Sequence, residues 1–183
     1  MKFYKLIDRV LLENNRLFNN NDYTNVSDFK IGPVYHGGGW NGITAPLVRD
    51  GSYGTGVYFT DKHEVAKSYA TDTTWHEIQG AKSKRKGTYI VEARLKMKNP
   101  IVDESENEYF LIVNSLVKFG WTKERAENKF IKQNERTGNI GNFFRKEALN
   151  HGYDGIIHKS TNYYSVYVVF SPYDVYVTNV ETL

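Results

Sequence analysis

The sequence predicts an α+β fold: a split, mostly antiparallel β-sheet core with peripheral helices and one helical insertion. Three observations carry that reading. Strand-like runs cluster before Pro100 and again after Asp154, with helical periodicity between them. The chain of 183 residues holds 14 tyrosines and 10 phenylalanines, residue types that suit pleated, half-buried surfaces. No strand–helix–strand alternation and no fixed repeat occurs, which argues against a doubly wound parallel sheet or a solenoid.

Residues 4–18 place apolar side chains at helical spacing and run out into Asn19, Asn20, Asn21 and Asp22. Residues 1–30 therefore read as an N-terminal helical extension. Gly32-Pro33 introduces a short strand, Val34-Tyr35-His36, that runs into Gly37, Gly38 and Gly39. Gly51, Gly54 and Gly56 then lead into an aromatic strand at 57–60. A dinucleotide fingerprint follows a strand and opens a helix, whereas these glycines precede the strand. They are a turn that feeds a strand.

Asp61 is the expected N-cap of a helix over 62–71, with Glu64 as its capping-box partner. Val65, Ala66, Tyr69 and Ala70 form the apolar stripe of that helix. Residues 88–98 largely alternate and make the best strand, closed by Asn99-Pro100. Helices follow over 105–119, 122–136 and 142–151, the first ended by Gly120 and the last by Gly152. They constitute the helical insertion, 103–151, of a single domain spanning 1–183. Strands at 154–158, 164–171 and 175–180 complete the chain.

Composition narrows the function classes. With no cysteine there is neither a disulfide framework nor a thiolate zinc site. His36, His63, His76, His151 and His158 fall in no metal-ligand spacing, so no metal is expected. A Gly-x-Ser-x-Gly elbow is absent, and Ser52 is wrongly flanked for one. No window approaches the roughly 20 apolar residues of a membrane helix, and the N-terminus lacks a secretory apolar core. A cytoplasmic protein without membrane partners is expected. The net charge of +3 is too small to mark a nucleic-acid binder by itself. Lys82, Lys84, Arg85 and Lys86 are a local exception: a solvated loop, or a patch that attracts phosphate.

His63, His76, His151 and His158 read as surface or internally satisfied side chains. His36 differs in its company. It ends a strand, precedes three glycines, and is followed by a second glycine turn with Tyr58 beyond it. A histidine, exposed backbone amides and a tyrosine face together suit a flat, polar aromatic ligand.

Taken in order, Tyr35-His36-Gly37, Gly54-Thr55-Gly56-Val57-Tyr58-Phe59 and Tyr69 resemble the NAD-binding signature of one group of ADP-ribosyltransferases. The group is the diphtheria-toxin and poly(ADP-ribose) polymerase branch, which pairs a strand-borne His-Gly with a Tyr-x10-Tyr element. Asn99-Pro100-Ile101, residues 152–157 and residues 167–172 resemble later strands of small bacterial and phage-encoded members. The match runs over most of residues 34–180.

The resemblance implies NAD as donor and no metal. It implies that His36 bonds a ribose of NAD and that the Gly37 backbone holds the carboxamide. Tyr58 and Tyr69 would sandwich the nicotinamide, with Gly56 in the binding turn. Tyr163 and Tyr164, in the loop before the last strand pair, would face the substrate, though they equally suit a sheet edge. The branch's catalytic glutamate aligns with Val166, which can neither accept a ribose hydroxyl proton nor offset positive charge.

Several explanations stand for that position. The acceptor supplies its own carboxylate; a carboxylate such as Asp154 or Asp174 serves instead; the domain binds NAD or ADP-ribose without transfer; or the substitution disables the site. The resemblance implies a mono-ADP-ribosyltransferase of toxin or phage-effector type. Its target would be a protein, or a nucleic acid guided by residues 82–86, and chain elongation would be disfavoured.

Overall fold

The computed structural model describes residues 26–38, 49–71, 89–137, 140–159 and 164–183. The expected helix over 4–18, Gly39, His76, the basic run at 82–86 and Tyr163 lie outside the described residues. The described strands are β1 (Ile31–Gly38), β2 (Arg49–Gly51), β3 (Gly54–Thr60), β4 (Tyr89–Leu95), β5 (Pro100–Asp103), β6 (Gly155–Lys159), β7 (Ser165–Val169) and β8 (Val175–Thr182). The described helices are α1 (His63–Thr71), α2 (Glu108–Lys118), α3 (Lys123–Thr137) and α4 (Gly141–Asn150). The fold is α+β: β1 pairs antiparallel with β3 and β4, β2 with β3, β4 with β8 and β6 with β7, and β5 pairs parallel with β6.

The chain forms two compact units. The first comprises Met1–Leu47, Phe59–Lys96 and Tyr173–Leu183; the second comprises Val48–Tyr58 and Met97–Pro172. In the first, β1 pairs with β4 from Ile31↔Leu95 to Gly38↔Tyr89, and β4 pairs with β8. Tyr35 pairs with Thr60 at the end of β3. Ile90, Val91, Ala93 and Leu95 of β4 are buried, as are Val34 of β1 and Val175 and Val177 of β8.

Helix α1 begins one residue later than expected. Lys62, rather than Asp61, occupies the cap: its carbonyl accepts the first helical bond, from the Ala66 amide at 3.2 Å. Thr60 supplies the side-chain contact there, its Oγ1 accepting from the Lys62 amide at 3.2 Å. Of the expected apolar stripe only Ala66 and Ala70 are buried, while Tyr69 is 44% exposed. A helix this close to a sheet has room for methyl groups but not for a phenol.

In the second unit, β2 and β3 form a hairpin in which Gly51 faces Gly54 across a two-residue turn, Ser52-Tyr53. Gly54 has φ +94°, and a Cβ there would stand 2.5 Å from the Gly141 carbonyl oxygen. Both conditions require glycine. Strand β5 is an element the sequence does not announce, because Asn99-Pro100 reads as a stop. Proline is tolerated as the first residue of a strand, where its missing N–H removes no ladder bond. The Asp154 carboxylate shapes the approach by accepting from the Lys98 amide at 2.5 Å and the Asn99 amide at 3.1 Å.

Helix α2 starts at Glu108 rather than near Ser105, because Asn107 is the cap: its Oδ1 accepts from the Phe110 amide at 3.2 Å. Thr122, expected as the first residue of α3, is its cap instead: its Oγ1 accepts from the Arg125 amide at 3.3 Å. Gly120 and Gly152, at φ +93° and +80°, follow α2 and α4 as the left-handed residues that end helices. The inserted helices carry the core of this unit. Leu111, Ile112 and Leu116 of α2, Ala126 of α3, and Phe144 and Ala148 of α4 pack in one cluster with Ile156 and Val168.

Candidate active-site residues

His36, Gly37 and Tyr69 belong to the first unit. His36 is half-buried on β1, its ring 5.9 Å from Phe59 and inclined at 65°, an edge-to-face contact. Gly37 follows where α1 presses on β1: a Cβ would stand 1.6 Å from the Ala66 carbonyl oxygen. The absence of a side chain at 37 is thus a packing requirement in its own right. Tyr69, on α1, is 44% exposed.

Gly56, Tyr58, Tyr164 and Val166 belong to the second unit. A Cβ on Gly56 would meet Val168 Cγ1 at 2.8 Å and the Val169 carbonyl oxygen at 2.9 Å, so glycine admits β7 alongside β3. The Tyr58 hydroxyl donates to the Gly54 carbonyl at 2.6 Å and accepts from the Tyr53 amide at 3.1 Å. Its ring lies over Gly51, where a Cβ would be 2.4 Å from Cζ. The hydroxyl end of the ring is therefore held by the hairpin. Burial pushes the Tyr58 phenol well above its ordinary range, so it stays neutral. Val166 is half-buried on β7, opposite His158 of β6, and packs on the aliphatic cluster.

Around His158 lies a polar group that sequence reasoning missed. His158 is 7% exposed. Its Nε2 donates to the Ser105 carbonyl at 2.8 Å, which fixes the proton there, because a carbonyl only accepts. In the neutral ring Nδ1 then accepts from the Tyr53 hydroxyl at 2.6 Å. The expectation of an internally satisfied histidine holds. Glu108 is half-buried at the first turn of α2. Burial raises its pKa above the usual carboxylate range, opposed by the Ser52 hydroxyl and by His158. Tyr53 is raised further, chiefly by burial and then by the Glu108 charge.

No local motif could have revealed this group, since Tyr53 and His158 are separated by 105 positions. The one available signal was an acid directly after a capping asparagine. Of the two alternative carboxylates, Asp154 is committed to the Lys98 and Asn99 amides. Asp174 lies in the first unit and Val166 in the second. Among the described residues no group of three or more His, Cys, Asp or Glu side chains is arranged to hold a metal. No described helix is long and apolar enough to cross a membrane.

A family model described as "ADP-Ribosyltransferase in polyvalent proteins" (ART-PolyVal) matches residues 31–176. The chain belongs to this ADP-ribosyltransferase family. The matched span runs from the first residue of β1 into β8 and takes in His36, Gly37, Tyr58, Tyr69, Glu108 and Val166. Members of such a family are transferases that use NAD as donor. No curated protein matches the chain. Among solved structures, one described as "Crystal structure of an anti-CRISPR protein" is 15% identical, covering 82% of this chain and 93% of that one. Its TM-score is 0.36.

Proposed function

We propose that the protein is an NAD-dependent mono-ADP-ribosyltransferase that transfers ADP-ribose to a macromolecular target and releases nicotinamide. The observation that carries this is the family match over residues 31–176, with His36-Gly37, Tyr58 and Tyr69 in order inside it. In this reading the chain acts as one domain over 1–183, allied to the His-Tyr-Glu branch but with valine in the glutamate position. His36 bonds a ribose, the Gly37 backbone holds the carboxamide, and Tyr58 and Tyr69 flank the nicotinamide beside Gly56.

Two features support NAD at these residues. The register of β1 with β4 continues through Gly37↔Ile90, whereas its register with β3 is at Tyr35↔Thr60, so Gly37 is bonded into a ladder along its β4 edge. The Tyr58 ring is held by its hydroxyl and needs no reordering to stack, which lowers the entropic cost of binding. A protein target is the leading acceptor, with Tyr163 and Tyr164 facing it. A cytoplasmic toxin or phage effector is the setting in which such transfer acts.

The half-buried, aliphatic setting of Val166 favours one second reading, a module that binds NAD or ADP-ribose without transferring it. Incubation with labelled NAD and a cell lysate separates the two. Transfer requires nicotinamide release and label on protein, or on nucleic acid if Lys82, Lys84, Arg85 and Lys86 guide it. NAD binding without release selects the binding module. His36→Ala and Tyr58→Ala are expected to weaken NAD binding at least tenfold; parental affinity in both would remove the pocket assignment.

A further inference from the structure

We propose that β5 is the surface through which two copies of this chain associate, each laying the open edge of its strand antiparallel on the other about a two-fold axis through Ile101. The whole surface lies within the second unit. Strand β5 ends the sheet order β5-β6-β7-β3-β1-β4-β8, so among the described residues β6 alone pairs with it. A strand in that position turns half of its backbone N–H and C=O groups outward, where they offer a ladder to another strand.

The edge is apolar as well as open. Val102 is 49% exposed. Its register neighbours Ile157 and Tyr167 are half-buried and continue its row across β6 and β7. By strand alternation that row occupies the sheet face opposite to Ile101, Ile156 and Val168, which pack with the inserted helices. Beside the edge, Pro100, Ile101 and Val102 line a cavity of about 170 Å³ together with Lys118, Phe119 and Tyr153. A strand laid along β5 would close it.

Charge identifies the occupant. Lys98 lies three residues before Ile101 and Glu104 three residues after, and both are exposed. An antiparallel pairing centred on Ile101 sets Lys98 of each copy opposite Glu104 of the other, at two symmetric crossings. It also sets the exposed Val102 of each copy opposite Pro100 of the other, at the rim of the cavity. An axis between Ile101 and Val102 would instead put Lys98 opposite Ser105 and Glu104 opposite Asn99, so the charges select the Ile101 register. Glu104 holds Lys159 at 3.3 Å, yet its side chain is exposed enough to take a second cation. Flanking charges and a leading proline deter pairing with unrelated strands. A second copy carries the complementary order already.

Sedimentation of the full chain at roughly 100 µM, a concentration suited to a small interface, should show a species of twice the 21.2 kDa chain mass. Lys98→Glu and Glu104→Lys each place like charges at both crossings. Each alone should be monomeric, with self-association weakened about tenfold or more. Mixed in equal amounts they restore opposite charges at both crossings, and the dimer should return. Val102→Lys, at a half-exposed position, should also be monomeric with the parental circular dichroism. A parent that stays monomeric overturns the proposal. So does a dimer that survives any of the three substitutions, or a mixture of the two charge variants that stays monomeric. Should a charge variant lose the parental circular dichroism, Val102→Lys decides: a folded monomer supports the β5 interface, and a dimer removes it.

Discussion

The two units bury sheet faces in opposite ways. The first sets one short helix so close to β1 that its buried side chains are alanines, Ala66 and Ala70, and Gly37 can carry no side chain. The second lays three helices over its strands and fills the space with Leu111, Leu116, Ile140 and Phe144. The thin packing is sensitive to added atoms and the thick packing to removed ones. Polar chemistry follows the same division. The thick unit accommodates a buried histidine, its tyrosine partner and a half-buried acid, whereas the first unit sets the His63–Glu181 pair at its surface.

The largest effect expected from breaking this contrast is on the thick side. Phe144→Ala should cost about 3–5 kcal/mol, the range for losing a fully buried phenylalanine. Hydrogen exchange should then accelerate in α2, α4 and β6 more than in β1 and β4; equal acceleration in both units would dissolve the distinction. On the thin side Gly37→Ala should cost about 3 kcal/mol, at the upper end of overpacking, because the opposing atom is backbone and no rotamer relieves it. Thermal unfolding of the variant at parental stability would show that α1 shifts freely on β1.

A smaller effect is expected at the buried polar group. Tyr53→Phe removes the donor to His158 Nδ1 and should cost about 1–3 kcal/mol, the range for a buried acceptor left without a partner. Denaturant unfolding measures it, and an unchanged midpoint would mean that the hydroxyl contributes nothing there. The smallest effect belongs to the exposed pair. Glu181, 2.8 Å from His63 Nε2, raises the His63 pKa, and desolvation opposes it. A raised value means that protonated His63 stabilises the fold fully below its unfolded pKa, and that this is lost as pH rises through the higher folded value. Solvent screening keeps the contribution to about 0.2–1 kcal/mol. Glu181→Gln should flatten the fall in stability as pH rises above the ordinary histidine pKa of about 6.5, and should do so less visibly in high salt.

Much of the fold was legible because local signals agreed with one another. The alternation of β4, Gly120 and Gly152 each placed an element within a few residues. The errors arose where a neighbour overrode the local signal. Helix α1 starts after Lys62, whose amide bonds Thr60 Oγ1, one residue later than Asp61 suggested. Tyr69 left its stripe because α1 approaches β1 at alanine distance. Strand β5 exists because β6 offers it a parallel ladder, which Pro100 cannot announce.

For the candidate site, the chain order of His36, Gly37, Tyr58 and Tyr69 was visible in the sequence, as was the valine at 166. Those are statements about residue identity and spacing, which a linear chain carries in full. The Tyr53–His158 bond, the burial that raises Glu108 and the facing of His158 and Val166 are not. Each depends on segments far apart in the chain meeting on one sheet face. Burial and hydrogen-bond partners are properties of that meeting, so only the tertiary structure could bury His158 opposite position 166 and give it two partners.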